Sequence, residues 1–405
     1  MAERRRVVIT GLGAVTPLGT DFPGSWLSLI RGESGLGISG RAEAEGLPWR
    51  ITGEVSGFDP LRFMDSREMR RVDRFVRMAL GATLEAVKDA SLEVDRDTMV
   101  LIGSSRGGIS GIEDALVDRI TGGRSFSAYL MPSTTVSMAA SYVSMRLGLF
   151  GYGMGISSAC ASGAIAIGEA FRLIRTGYGD VAVAGGAESP ICMTCVEGYG
   201  RMGVLSKGSD YTASRPFDSE RDGFVLSEGA SVVILEERQS ALNRGARIYA
   251  EIRGYSNITS PGSQTAPSLE GEVEVMMRAL KEAGACASDV ACVNAHGTST
   301  RAGDRVEAEA IRAVSGGGVA VTANKSMTGH MLAASGAFEV ATTAMGIYSG
   351  VVPPTINFKK TDDGEDLKVI TVATPLDAGV SITNSFGFGG INASLVLAAP
   401  AYKYK

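Results

Sequence analysis

The sequence predicts an α/β protein made of two similar units side by side, over residues 1–248 and 249–405. Short buried-strand runs alternate with helical patterns along the chain, the signature of strand–helix units. The alternation restarts after Arg247. At 405 residues the chain is long enough for two domains, or for one large domain with a duplicated core. No sequence identity between the halves is visible, so a duplication is compatible with the pattern and no more.

Composition narrows the class. Hydrophobic content of 44% and charged content of 20% are those of an ordinary globular protein. Gly, at 53 residues, implies many tight turns and close backbone approaches. A net charge of −5 offers nothing to nucleic acid or to an anionic membrane. No apolar run approaches the roughly 20 residues that span a bilayer. The opening MAERRRVVIT passes at once into a strand-like run, so no signal peptide is expected. Five cysteines (160, 192, 195, 286 and 292) without a secretory segment fit reduced thiols in a cytoplasm. There are only two histidines, His296 and His330, which makes their surroundings informative.

In chain order, Val7 to Gly11 reads as a buried strand. The GLGAVTPLG that contains its end fails the G-x-G-x-x-G spacing, so no dinucleotide loop is expected. Asp65 to Asp89 reads as one helix, with Met69, Val72, Phe75, Val76 and Leu80 on a single face. Arg67, Arg70, Arg71, Arg74 and Arg77 make the remainder basic, either a solvated surface or a dock for an acidic partner. Val100 to Gly103 is a strand that runs into the Gly-rich loop Ser104 to Gly108.

The stretch Gly155 to Ile174, GISSACASGAIAIGEAFRLI, is the centre of the first unit. Its small and apolar residues suit a helix buried inside a domain, with Ser157 and Ser158 as N-cap candidates and Gly177 ending the run. Cys160 at that helix end would sit among unpaired N–H groups and the positive end of the dipole. Those conditions lower a thiol pKa and make a nucleophile. For a lone cysteine, a buried structural role is the simpler reading. Asp180 to Glu188 and Ala230 to Glu236 are further strands. Cys192 and Cys195, with no second pair and no nearby histidine, read as small apolar residues lining a loop.

In the second unit, strands at 250–254, 290–295, 319–322, 368–372, 380–383 and 393–398 alternate with helices near 272–282, 304–314 and 331–347. Three of those strands end in polar or Gly-rich segments: NAHGTST (294–300), NKSMTGH (324–330) and NSFGFGG (384–390). Ligands bind at such carboxyl ends in open α/β sheets. His330 just before a helical run would be held uncharged by the helix N-terminus, leaving a neutral ring that donates N–H.

The set SACASG (158–163), NAHGTST, NKSMTGH and NSFGFGG, in this order, resembles the condensing enzymes of fatty-acid synthesis, most closely the β-ketoacyl-[acyl-carrier-protein] synthase II type. The resemblance extends over nearly the whole chain, through TGLGAVTPLG, AGGAE, SRPFDSERDGFVLSEGA and VVPPTIN. It implies a thiolase-like fold of two similar α/β halves in five αβαβα layers, usually a homodimer. The activity implied is that of an acyltransferase: an acyl chain passes to Cys160 and is condensed decarboxylatively with malonyl-carrier protein. No cofactor or metal is implied on the enzyme; substrates arrive on the 4′-phosphopantetheine arm of acyl carrier protein.

Carried over by motif, His296 and His330 flank the nucleophile, and Lys325 and Glu339 support them. Thr298 and Thr300 contact the pantetheine arm. Phe388 is a gate whose N–H, with that of Cys160, forms the oxyanion hole. Phe386, Gly387 and Gly389 belong to the same substrate-binding loop. Arg67, Arg70, Arg71 and Arg124 match basic positions that receive the carrier protein. Whether a monovalent cation supports Glu339 stays open. A thiolase would place a second cysteine where this chain has Phe386-Gly387-Phe388, and a starter-type synthase has asparagine where this chain has His330. A synthase of a polyketide or other specialised pathway, or a non-catalytic chain-length-factor-like subunit, are the remaining alternatives. Arg106 departs from the family, which usually has an apolar residue walling the acyl tunnel at that position. Residues Ile191 to Val196 depart as well.

Overall fold

The computed structural model describes residues 5–44, 46–362 and 367–402. The first half contributes strands β1 (Val7–Val15), β2 (Met99–Gly103), β3 (Gly153–Ile156), β4 (Val181–Glu188) and β5 (Gly229–Glu237). The second contributes β6 (Ala250–Thr259), β7 (Val290–Asn294), β8 (Ala320–Thr322), β9 (Lys368–Val369), β10 (Val380–Gly387) and β11 (Ile391–Ala398). They form one eleven-stranded sheet in the order β3-β2-β4-β5-β1-β6-β11-β10-β7-β8-β9. Numbered within its own half, each half runs third, second, fourth, fifth, first, and β9 is an extra strand at one edge. The halves meet where β1 pairs antiparallel with β6, Val7 opposite Ile252 and Ile9 opposite Ala250.

Two outer helix layers and one inner layer complete the arrangement. Helix α1 (Arg74–Asp89) covers β1 and β5; α3 (Leu269–Ala283) and α4 (Arg301–Ser315) cover the second half. Helices α2 (Ser162–Arg175) and α5 (Ala333–Ser349) lie between the halves and touch strands of both. The result is five layers, αβαβα. The inner helices are built from small residues because they cross closely. A Cβ on Gly163 would stand 2.2 Å from the Ala333 carbonyl oxygen, so only glycine fits. Both helices follow the third strand of their half, so Cys160 before α2 and His330 before α5 hold equivalent places in the two halves. The fully buried Phe338 of α5 meets Phe22 edge to face and contributes roughly 1.5–3 kcal/mol through burial.

The predicted helix over 65–89 is two helices, Ser66–Met69 and Arg74–Asp89. Asp65 and Glu68 form a capping box on the first, and Asp73 caps the second by accepting the Phe75 N–H. Two competing caps eight residues apart break what periodicity joined. The arginines divide accordingly. Arg67 and Arg70 are exposed, and Arg71 lies over the Tyr129 ring. Arg74 turns inward to pair with both oxygens of Glu228, at 2.6 and 2.7 Å. Residues 192–195 begin a helix, Met193–Arg201, rather than a loop, with Cys192 at its N-cap and both thiols buried. The strand expected over 368–372 is paired only at Lys368–Val369.

Candidate active site

The segment after β3 turns sharply to place Cys160. Ala159 has φ +47, a left-handed conformation that a non-glycine residue holds only when its surroundings fix it. Ser162 does the fixing: its Oγ accepts the Ser158 N–H at 2.8 Å and donates to the Ala159 carbonyl at 2.6 Å. The N-cap of α2 is therefore Ala161, without a side-chain cap, and not Ser157 or Ser158. Cys160 is buried, and dehydration pushes its thiol up to about 11. Lys325, Arg106 and a hydrogen bond from the Phe388 N–H pull the other way and lose. The lowered pKa expected from the helix end is thus overturned. A helix terminus offers ~0.3–1 kcal/mol, reaching about 2 only in the best cases. Each pKa step is worth about 1.4 kcal/mol, so the dipole cannot offset full burial.

His296 follows β7. Glu307 of α4 accepts the backbone N–H groups of His296 and Gly297, at 2.8 and 2.7 Å, and fixes the loop. Gly297 has φ +38, and a Cβ there would meet Ala323 at 2.7 Å. The Lys325 Nζ donates to the His296 carbonyl at 2.6 Å and to Glu339 at 2.5 Å, and lies 3.4 Å from His296 Nδ1. An ammonium has only donors, so Nδ1 must accept and the ring proton is assigned to Nε2. His330 can take the same tautomer by another route. Its Nδ1 is 3.3 Å from the Ser335 hydroxyl, whose oxygen already accepts the Met331 N–H at 2.9 Å. That hydroxyl can then donate to Nδ1, leaving Nε2–H free. The two rings stand edge to face, 5.4 Å apart at 83°.

Both imidazoles are held well below their ordinary pKa, first by burial and then by the Lys325 charge. The lowered pKa of His330 is in the expected direction, but its cause is different. Helix α5 begins three residues later, and His330 is held by Val225 and Ser227 in a strand-like bridge. Burial also pushes Glu339 up to about 7 against its ion pair with Lys325. Around that pair, Asn294 Oδ1, Asn324 Oδ1 and Glu339 Oε2 are buried without hydrogen-bond partners. Oxygen donors of this kind suit a hard cation. Among the described residues no group of three or more His, Cys, Asp or Glu side chains could hold a metal ion.

A cavity of about 320 Å3 brings Cys160, His296, His330, Thr298, Thr300 and Phe388 together, with Phe386 and Gly387 in its wall. Thr300 caps α4, and its hydroxyl lies 3.0 Å from that of Thr298. A Cβ on Gly387 would stand 3.1 Å from the Ser158 carbonyl and 3.4 Å from the Cys160 nitrogen, so glycine lets the Phe388 loop close over the sulfur. Gly389 does not line the cavity; its N–H donates to the Gln264 carbonyl at 2.8 Å, and Gly390 lines the wall instead. Arg106 is also outside that wall. Its Nε donates to the Tyr199 hydroxyl at 3.1 Å, and its guanidinium lies over the Tyr199 ring. Tyr199 in turn touches Phe224 and Phe388. Arg67, Arg70 and Arg124 are exposed on the surface, Arg124 beside Asp118.

Sequence reasoning missed Glu307, Ser335, Tyr199 and Glu188. Glu188 is fully buried and accepts from the Ser104 hydroxyl and the Ser105 and Arg106 N–H groups. The one available signal was Asp304 and Glu307, an i,i+3 acidic pair on α4 directly after a Gly-containing loop.

Two like halves in five layers, with a cysteine and two uncharged histidines meeting at their strand ends, define a thiolase-like ketosynthase fold. Models described as Beta-ketoacyl synthase, N-terminal domain and Beta-ketoacyl synthase, C-terminal domain match residues 4–241 and 249–359. The chain belongs to the beta-ketoacyl synthase family. It is 40% identical to the 3-oxoacyl-[acyl-carrier-protein] synthase 2 of Synechocystis sp., over 97% of this chain and 98% of that relative. The enzyme of the same name from Staphylococcus aureus is also 40% identical, over 98% of this chain and 99% of the relative. Among solved structures, the ishigamide ketosynthase/chain length factor matches with a TM-score of 0.93 at 31% identity, covering 99% of this chain and 100% of that one. A type II polyketide synthase acyl-carrier protein in complex with its ketosynthase bound to the hexaketide matches with a TM-score of 0.90 at 32% identity, covering 98% and 100%.

Proposed function

We propose that this protein is an elongating 3-oxoacyl-[acyl-carrier-protein] synthase of fatty-acid biosynthesis, divided at residues 248/249 into a half that carries the nucleophile and a half that carries the histidines. One observation supports this above the rest: Cys160 shares a cavity with His296 and His330, both held well below the ordinary histidine pKa. In the first half-reaction the Cys160 sulfur attacks the thioester carbonyl of acyl-carrier protein. The N–H groups of Cys160 and Phe388 stabilise the oxyanion, and the thiol proton leaves with the departing carrier thiol. In the second, malonyl-carrier protein loses CO2. His296 and His330 hold the enolate oxygen by hydrogen bonds, and its carbon attacks the acyl–Cys160 carbonyl. The new carbon–carbon bond forms as the acyl–sulfur bond breaks; the 3-oxoacyl chain leaves on the carrier, and the expelled Cys160 thiolate takes a proton from water. Thr298 and Thr300 receive the pantetheine arm; Lys325 and Glu339 orient His296.

The 40% identity to fatty-acid synthases against 31–32% to the specialised-pathway structures favours the fatty-acid reading. An intact Cys160 disfavours a non-catalytic subunit. Mass spectrometry after incubation with acyl- and malonyl-carrier proteins tests the assignment. It should show an acyl adduct on Cys160 and a 3-oxoacyl-carrier product; a protein that binds carrier and forms neither would refute it.

Arg106 is held by Tyr199, which packs on the cavity residue Phe388, and this contact supports a role for the pair in restricting the acyl chain. Arg106→Ile is expected to raise kcat/KM for longer apolar acyl chains relative to short ones by about tenfold, the scale of apolar-pocket discrimination. An unchanged chain-length profile would remove the idea. Carrier docking is assigned to Arg67, Arg70, Arg71 and Arg124. Exposed charge pairs of this kind are individually weak and are screened by salt. At about 0.5 M salt, where screening acts within roughly 4 Å, the apparent KM for carrier-bound substrate should rise several-fold. A flat response would place the dock elsewhere.

The five cysteines form no disulfide among the described residues, which fits a cytoplasmic protein, and among those residues no helix is long and apolar enough to cross a membrane. A homodimer is supported by exposed apolar residues in the segment that leads up to the edge strand β3, among them Ile120, Phe126, Met131, Met145 and Phe150. Sedimentation as a monomer at micromolar concentration would exclude it.

A further inference from the structure

Glu272 is a buried acid with one oxygen unpartnered among the described residues. It lies in the first turn of α3 and lines the cavity that holds Cys160 and Thr300. It is 2% exposed, and its Oε2 has no hydrogen-bond partner among the described residues. Buried polar atoms are nearly always paired, so an orphan oxygen on a residue that lines a cavity points to a group that arrives from outside.

Its surroundings define what that group is. The charged groups acting on it are Glu307 and Asp304 of α4, both acids. Burial and these two neighbours push the Glu272 carboxyl up to about 10, so it carries its proton at neutral pH. The start of α3 favours negative charge, but that effect is small beside full dehydration. A protonated carboxyl offers one O–H donor. The donor is also held in place. Ser268 caps α3 by accepting the Gly271 N–H at 3.2 Å. A Cβ on Gly271 would come within 1.8 Å of the Ser260 hydroxyl and 2.9 Å of the Asn392 amide nitrogen, so the first turn is pressed against the ends of β6 and β11. An ammonium or metal ligand would need the acid charged, whereas an uncharged carbonyl oxygen needs it as it stands.

We propose that Glu272 is a binding residue for the amide-bearing arm of the substrate, its carboxyl O–H donating to an amide carbonyl oxygen of that arm. This rests on the reading that the cavity admits a carrier-bound thioester. No covalent step is involved, and the acid keeps its proton throughout.

The test compares wild type, Glu272→Gln and Glu272→Leu with two malonyl thioesters, one of pantetheine and one of methanethiol, which has no amide. The quantity read is the ratio of kcat/KM for the first over the second, which cancels any loss of folded enzyme. Glu272→Leu should lower that ratio about tenfold, mainly through KM, as expected when a binding contact is removed. Glu272→Gln keeps a donor and should stay within about threefold of wild type. An unchanged ratio in Glu272→Leu, or equal losses in both variants, would overturn the proposal. If wild type forms no 3-oxoacyl product from either thioester or from malonyl-carrier protein, the reading of the function has failed instead.

Discussion

Cys160→Ser is expected to lower the rate of chain joining by at least about a thousandfold, the scale seen when a nucleophile is removed from a preorganised site. The sulfur is buried, and its thiol is pushed up to about 11. A serine hydroxyl in its place would be still harder to deprotonate, and no charged base in the site could make up the difference. Both imidazoles are held well below the ordinary histidine pKa, and each Nδ1 faces a side-chain donor, at 3.4 and 3.3 Å. The fold should survive, because the Ser162 hydroxyl and not the Cys160 side chain holds the turn. Intact-mass analysis should show no acyl adduct on the variant. A Cys160→Ser protein that joins chains at the wild-type rate would end the assignment.

The second large effect is expected at the histidines and separates the two half-reactions. Removing one oxyanion donor elsewhere lowers rates by about 10²–10³-fold, or ~2.7–4 kcal/mol. His330→Ala and His296→Ala should each slow condensation by about that factor, while acyl transfer to Cys160 stays within about tenfold of wild type. That asymmetry follows from the roles proposed: the Cys160 and Phe388 N–H groups serve the first oxyanion, the imidazoles the enolate. Rapid-quench measurement of the acyl-enzyme beside release of labelled CO2 would read both steps. Equal losses in both would mean that the histidines serve the nucleophile instead. His296→Ala carries an extra penalty, since Lys325 loses its Nδ1 partner beside Glu339.

The site was legible because its parts sit where chain pattern changes. Cys160, His296, His330 and Phe388 all follow strand ends, and three of those strands, β8, β7 and β10, are neighbours in the sheet. What pattern could not show was dehydration. A cysteine beside a helix start reads as acidified, yet the cavity wall reverses the sign. Glu307 and Glu272 escaped for a related reason. On an amphipathic helix an acid reads as solvated, and only the packing of α3 and α4 against β6, β11 and the His296 loop reveals that both are buried. The break at Arg70–Asp73 was invisible to periodicity, because apolar positions continue in phase across it. The duplicated architecture was visible only as alternation. The shared strand order shows the likeness of the halves, and it explains why Cys160 and His330 reach one cavity from matching positions.

The central claim is that Cys160 works opposite two uncharged imidazoles, each carrying its proton on Nε2. With only His296 and His330 in the chain, nitrogen NMR of protein labelled with 15N-histidine gives two ring systems and no others. Between about pH 6 and 8 both rings should remain neutral, with Nε2 protonated and Nδ1 not, because burial and Lys325 hold them well below the ordinary histidine range. A ring that gains a proton near the ordinary value, or that carries its proton on Nδ1, would contradict the account.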